Sequence, residues 1–110
     1  MVELRRHPRV SFDGPVEFAV KGSKNTARGR ARDISLGGMY VQTSEPPPFG
    51  SELVVHVTLP GHRGPIAVPA VVRWSRAGEG MGVQFKLLGA RETHAITELT
   101  RAAGASREPA

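Results

Sequence analysis

Three arginines and one short acidic, hydroxyl-bearing turn hold most of the chemistry in this chain. Arg5, Arg6 and Arg9 lie in Leu4-Arg5-Arg6-His7-Pro8-Arg9-Val10, and Asp33, Ser35, Gly37 and Gly38 in Arg32-Asp33-Ile34-Ser35-Leu36-Gly37-Gly38-Met39. A guanidinium forks two hydrogen bonds onto phosphate oxygens. The same fork fits O6 and N7 of guanine, and its flat face stacks on aromatic rings. Arginine has no acceptor to offer, so the other edge of guanine, with donors at N1 and N2, needs a carboxylate such as Asp33. Ser35 adds one hydrogen bond two residues along, on what reads as the same strand face. Gly38, without a Cβ, is free to take positive φ and lets a ligand approach the backbone. The combined set suits a ligand that carries guanine and phosphate.

Each half also has a plainer reading. A basic N-terminus is commonly a solvated tail, and Asp-x-Ser before Gly-Gly is commonly a turn held by side-chain to backbone bonds. In this order, with strands before, between and after, the two halves favour a single binding site.

The elements that must position these residues are mostly strands. Pro8 disfavours helix at His7, so residues 1–9 read as an extended, flexible basic arm. Val16, Phe18 and Val20 alternate with Glu17 and Ala19 as in a half-buried strand. From Thr26 to Ile34, Arg28, Arg30 and Arg32 share one face, while Ala27, Gly29, Ala31 and Asp33 share the other. The arginine face reads as solvated sheet surface. Met39 and Val41 resume the alternation after Gly37-Gly38, and Leu53, Val55, Val57 and Leu59 form the cleanest strand. Between them, Glu45-Pro46-Pro47-Pro48-Phe49-Gly50 is a stiff loop, since proline cannot donate to a ladder. Ile66 to Arg76 is apolar on both faces, which leaves its register open, and Trp74 stands near its end. Gly78-Glu79-Gly80 predicts a tight hairpin into Met81–Leu87. Ile96, Leu99 and Ala103 then recur at helical spacing, predicting a helix over about 90–103 with Gly104 as its C-cap. Residues 105–110 read as a tail. The expectation is a mainly β domain over 10–104, an antiparallel barrel or sandwich plugged by a terminal helix.

Composition narrows the function. The 110 residues suit one domain, with 39% hydrophobic and 23% charged residues. Fifteen Lys+Arg against ten Asp+Glu give a net charge of +5, which favours an anionic partner. No apolar run approaches the ~20 residues of a membrane span, and the start lacks the apolar core of an export signal, so the cytoplasm is the default expectation. Cysteine is absent, and the four histidines have no ligand spacing, so neither a disulfide nor a metal site is expected. Gly80-x-Gly82 lacks the third glycine of a dinucleotide fingerprint, and there is no P-loop lysine. No catalytic signature is recognisable, and the chain does not read as an enzyme.

Arg5-x-x-x-Arg9 followed by Asp33-x-Ser35-x-x-Gly38 resembles the two-part signature of PilZ domains, bacterial receptors for cyclic di-GMP. Gly80-Met81-Gly82-Val83-Gln84-Phe85 is similar to a late strand of such domains, so the resemblance covers nearly the whole chain. It implies a six-stranded antiparallel barrel with a C-terminal helix. It also implies that Arg5 and Arg9 hold guanines and phosphates, helped by Arg6, that Asp33 and Ser35 take the guanine edge, and that Gly37 and Gly38 shape the turn. The implied activity is cyclic di-GMP binding, with the arm changing conformation and a downstream protein partner, unidentified by sequence, receiving the signal. Trp74, beside Arg73, offers a ring on which a guanine can stack, although a tryptophan near a strand end is more often barrel rim. Two rival readings remain. One is a small basic barrel that binds RNA or single-stranded DNA, against which stands an aromatic content of only 5%. The other is a PilZ-type interaction module that binds no ligand.

Overall fold

Alternating apolar residues close a barrel. The computed structural model describes residues 9–60 and 63–106. Among them are β1 (Val10–Val20), β2 (Ala27–Ile34), β3 (Gly38–Gln42), β4 (Glu52–Val57), β5 (Ile66–Arg76), β6 (Gly80–Phe85) and the helix α1 (Ala90–Ser106). The strands run antiparallel in the order β1-β2-β3-β6-β5-β4, and β4 pairs with β1 to complete the closed barrel. Closure removes the unpaired edges that an open sheet of this size would expose.

The inward set is the one that period-2 alternation selects. Val16 and Phe18, Met39 and Val41, Leu53, Val55 and Val57, and Met81, Val83 and Phe85 are all buried. The open register of β5 resolves in favour of Ile66, Val68, Ala70 and Val72. Each large apolar side chain of this kind contributes about 1.5–3 kcal/mol of transfer free energy, so a register slip of one residue would forfeit the whole interior. From α1, Ala95 and Ile96 join the same core, and Leu99 packs against it with Phe12, Leu36 and Leu88. These last residues belong to the start of β1, the β2–β3 turn and the segment after β6. β6 ends beside the Asp33–Gly38 turn, where the Phe85 amide meets Gly37 O, so the helix that follows begins at that end of the barrel and sends Ala95 and Ile96 into the core. It runs past the expected stop at Gly104 to Ser106, because Ala102, Ala103 and Ala105 keep helix propensity high around that glycine. The β5–β6 hairpin forms as expected: Gly78 sits at φ 82° and the Glu79 amide donates to Arg76 O at 3.0 Å.

Two bulges change what alternation alone predicts. The β2–β3 register shifts between Ala31 and Asp33, and the β5–β6 register shifts between Val72 and Trp74. An extra residue in one strand reverses the facing of everything beyond it. Ala31 and Ile34 thus both point inward, and Asp33 leaves the small-residue face where strict alternation puts it. On β5, Arg73 and Trp74 both lie on the outside.

Candidate functional site

The Asp33–Gly38 segment is a turn built on its own hydrogen bonds. The Ser35 amide donates to Gly38 O at 2.8 Å, and the Gly37 amide donates to Ser35 Oγ at 3.1 Å. The Phe85 amide donates to Gly37 O at 2.9 Å, which ties the turn to β6. Ser35 is the one buried polar residue among those described. It lies beyond the end of β2 rather than on one strand face with Asp33. Its hydroxyl accepts from Gly37 and keeps its proton free to donate, so the turn-holding and ligand-binding roles are compatible.

Gly38 differs from its expected role. Positive φ occurs at Gly22, Gly50 and Gly78 among the described residues, and not at Gly38. What Gly38 provides is a close approach of two strands: a Cβ there would collide with the Val83 carbonyl oxygen and lie 3.1 Å from its carbon and 3.2 Å from Gln84 Cα. The missing side chain lets β3 lie against β6 at the point where the turn ends.

Asp33 is turned outward by the β2 bulge, opposite Tyr40 of β3. Its Oδ1 accepts a 3.1 Å hydrogen bond from the Tyr40 amide and faces Arg9 Nε at 3.6 Å. Both side chains of that ion pair are partly exposed, at 34% for Arg9 and 26% for Asp33. Such a pair contributes about 0–1 kcal/mol and is easily exchanged for contacts with a ligand.

Beside this corner is a cleft of about 250 Å³ lined by Arg9, Ser35, Gly37, Gly38, Met39, Arg73, Trp74, Gly82, Val83 and Gln84. Five of the residues singled out from sequence meet here: Arg9, Ser35, Gly37, Gly38 and Trp74. Asp33 does not line the cleft but is joined to it through Arg9. Arg5 and Arg6 lie outside the described residues. Trp74 is 44% exposed, and its ring stacks with that of Tyr40 at a centroid distance of 5.4 Å and an interplanar angle of 21°.

Arg73, Gly82 and Gln84 add to the lining, Tyr40 supports it by stacking on Trp74, and residue spacing did not single them out. Arg73 and Trp74 are neighbours in sequence, which normally places them on opposite faces; only the β5 bulge brings both to the cleft. Two glycines at alternate positions in Gly80-Met81-Gly82 were the visible hint, since bare backbone inside a strand marks a close approach.

The stripe of Arg28, Arg30 and Arg32 is occupied with surface pairing. Arg28 faces Glu17 at 3.7 Å, Arg30 reaches Asp13 at 2.6 Å, and Arg32 donates to Gln42 at 3.1 Å. Among the described residues no group of three acidic, histidine or cysteine side chains is placed to hold a metal, and no helix is long and apolar enough to cross a membrane.

The family model of the PilZ domain matches residues 3–102. The chain belongs to the PilZ domain family. No curated protein sequence matches it. The PilZ barrel is similar to the Bacillus subtilis inhibitor of motility MotI/DgrA, with a TM-score of 0.78 and 18% identity, covering 97% of this chain and 54% of that one. It is similar also to the PilZ domain of Escherichia coli YcgR, solved with c-di-GMP, with a TM-score of 0.71, 16% identity and 94% coverage of both chains. The MrkH–c-di-GMP complex of K. pneumonia gives 0.71 and 20%, covering 97% of this chain and 55% of that one. The present chain thus spans just over half the length of MotI/DgrA and of MrkH. At these identities the likeness establishes the fold, a six-stranded antiparallel PilZ barrel with a C-terminal helix.

Proposed function

We propose that this PilZ domain is a receptor for cyclic di-GMP. The observation that carries the reading is the convergence of Arg9, Ser35, Gly37, Gly38 and Trp74 on one cleft, with Asp33 paired to Arg9 at its edge. These are the groups that a guanine base and its phosphate require: a forked cation, an acceptor for the base edge, a hydroxyl and an aromatic face. The YcgR domain and MrkH, of the same fold, were solved with c-di-GMP.

Binding begins by exchange. The ligand's phosphates and guanine compete with the Arg9–Asp33 pair, whose loss costs little, and gain charge-assisted hydrogen bonds of about 1.5–3 kcal/mol each. The cleft is smaller than the roughly 300–1,000 Å³ of a complete small-molecule site. In this reading the described residues, Arg9 included, supply one wall, and the arm before Arg9, with Arg5 and Arg6, changes conformation on ligand binding to supply the rest. The closed segment and the barrel rim beneath it form a new surface for a protein partner, which is how a non-catalytic domain transmits the signal.

Equilibrium dialysis of the purified chain tests this reading, with cyclic di-GMP against a single-stranded oligonucleotide competitor at two salt concentrations. The expected result is saturable dinucleotide binding that the oligonucleotide does not displace. Oligonucleotide binding that falls steeply with salt, without preference for the dinucleotide, would overturn it in favour of a nucleic-acid surface.

A further inference from the structure

The two bulges line up four partners across adjacent strands. Asp33 on β2 pairs with Tyr40 on β3, Tyr40 pairs with Gly82 on β6, and Gly82 pairs with Trp74 on β5. Tyr40 works in both directions along this row. Its amide holds Asp33 Oδ1 at 3.1 Å, and its ring stacks with Trp74 at 5.4 Å. Gly82 provides the floor. A Cβ there would lie 2.6 Å from Trp74 Cδ1 and 2.8 Å from Cε2, so the indole rests on backbone that carries no side chain. Gly80 does the same for Tyr40, whose Cε1 would be 3.1 Å from a Cβ at that position. The result is an aromatic ledge fixed at a set distance from the Asp33 carboxylate.

Arg73 faces outward by alternation after the buried Val72, and it stands beside the ledge because the bulge turns Trp74 out next to it. Its Nε donates to Gln84 Oε1 at 2.6 Å, and both residues line the cleft. Gln84 is a neutral partner: it orients the guanidinium without compensating its charge. The two terminal nitrogens remain suited to forking an anion.

We propose that Arg73 and the Tyr40–Trp74 ledge form a second, wall-borne half of the ligand site, taking a purine base and its adjacent phosphate independently of the N-terminal arginines. Trp74 and Arg73 touch the ligand, while Tyr40 and Gly82 act as positioning residues that hold the indole. A purine fits better than a pyrimidine because its larger ring system covers more of the indole. The inference rests on reading the cleft as a cyclic dinucleotide site and adds which residues of the barrel wall recognise it.

Trp74 is the single tryptophan of the chain, so its emission reports on the ledge alone. Fluorescence titration of the full chain with cyclic di-GMP, paired with thermal melting, is the test. Wild type is expected to show a saturable change in Trp74 emission. Arg73→Gln, Gly82→Ala and Tyr40→Leu are each expected to weaken binding about tenfold, while Tyr40→Phe, which keeps the ring, stays within about threefold. If wild type binds but Arg73→Gln and Gly82→Ala bind within about twofold of it, the subsite is refuted and the receptor reading stands. If Tyr40→Phe loses as much as Tyr40→Leu, the ring does not position the indole. If wild type does not bind at all, the receptor reading itself fails, and this proposal with it. Should Gly82→Ala not fold, Arg73→Gln decides the matter, since Arg73 is exposed and outside the core.

Discussion

Replacing Gly38 by alanine puts one methyl group where strands β3 and β6 come closest. That carbon would collide with the Val83 carbonyl oxygen and meet two further backbone atoms at 3.1 and 3.2 Å. All three belong to backbone, so no side-chain rotation relieves the contact, and the strands must part by about 1.5 Å to reach the ~3.5 Å at which such contacts become favourable. Overpacking of this kind costs about 1–3 kcal/mol. For a domain of this size each kcal/mol lowers Tm by roughly 4–8 °C, so the expected drop is about 5–20 °C by circular dichroism. Gly64→Ala is the control, because a Cβ there meets nothing within 4 Å, and its Tm should stay within a few degrees of wild type. The same displacement moves Gly82 and Trp74 away from Asp33 and Tyr40, so cyclic di-GMP affinity should fall about tenfold or more. A Gly38→Ala protein that melts within a degree or two of wild type would refute the claim that Gly38 is required by the β3–β6 approach.

Asp33→Ala leaves the Tyr40 amide without its acceptor and should lower unfolding free energy by about 1 kcal/mol or more in urea titration. Arg9→Ala removes only the half-exposed ion pair and should cost under about 1 kcal/mol. Equal losses for the two would contradict the roles assigned to them. Away from the site, Lys86 donates a 3.0 Å hydrogen bond to Glu52 and Lys21 lies 3.7 Å from the same carboxylate. The Lys86 bond first, and then the two ammonium charges, hold the Glu52 carboxyl below its ordinary value. A depressed folded pKa contributes stability that is present above the unfolded pKa and lost as pH falls through the folded one. The stability gap between wild type and Glu52→Gln should therefore be present at neutral pH and close on acidification below the ordinary glutamate range. A gap unchanged across that window would contradict the assignment.

How much of this the sequence discloses differs by element. The alternation of Leu53, Val55 and Val57 leaves one choice of inward face, and the barrel adopts it. The spacing of Ile96 and Leu99 likewise marks the helix face that meets the core. Bulges carry no such mark, because an extra residue on β2 or β5 obeys local propensity and appears only in the register with its neighbour. That is why Asp33 reads as sharing a face with Ala31, and why Arg73 is not grouped with Trp74. Gly38 shows the same limit: a glycine after a turn suggests positive φ, whereas here its small size serves a neighbouring strand distant in sequence. The Ser35–Gly38 turn was legible because it is closed by bonds only two and three residues apart.

Recognition of cyclic di-GMP at the Arg9–Asp33 corner, as proposed above, is decided by isothermal titration of three proteins. Wild type should release saturable heat on titration with the dinucleotide. Arg9→Ala and Asp33→Ala, confirmed folded by their melting curves, should each bind at least about tenfold more weakly, a difference of 1.4 kcal/mol or more. No heat from wild type, or unchanged affinity in both variants, would rule this corner out as the binding site.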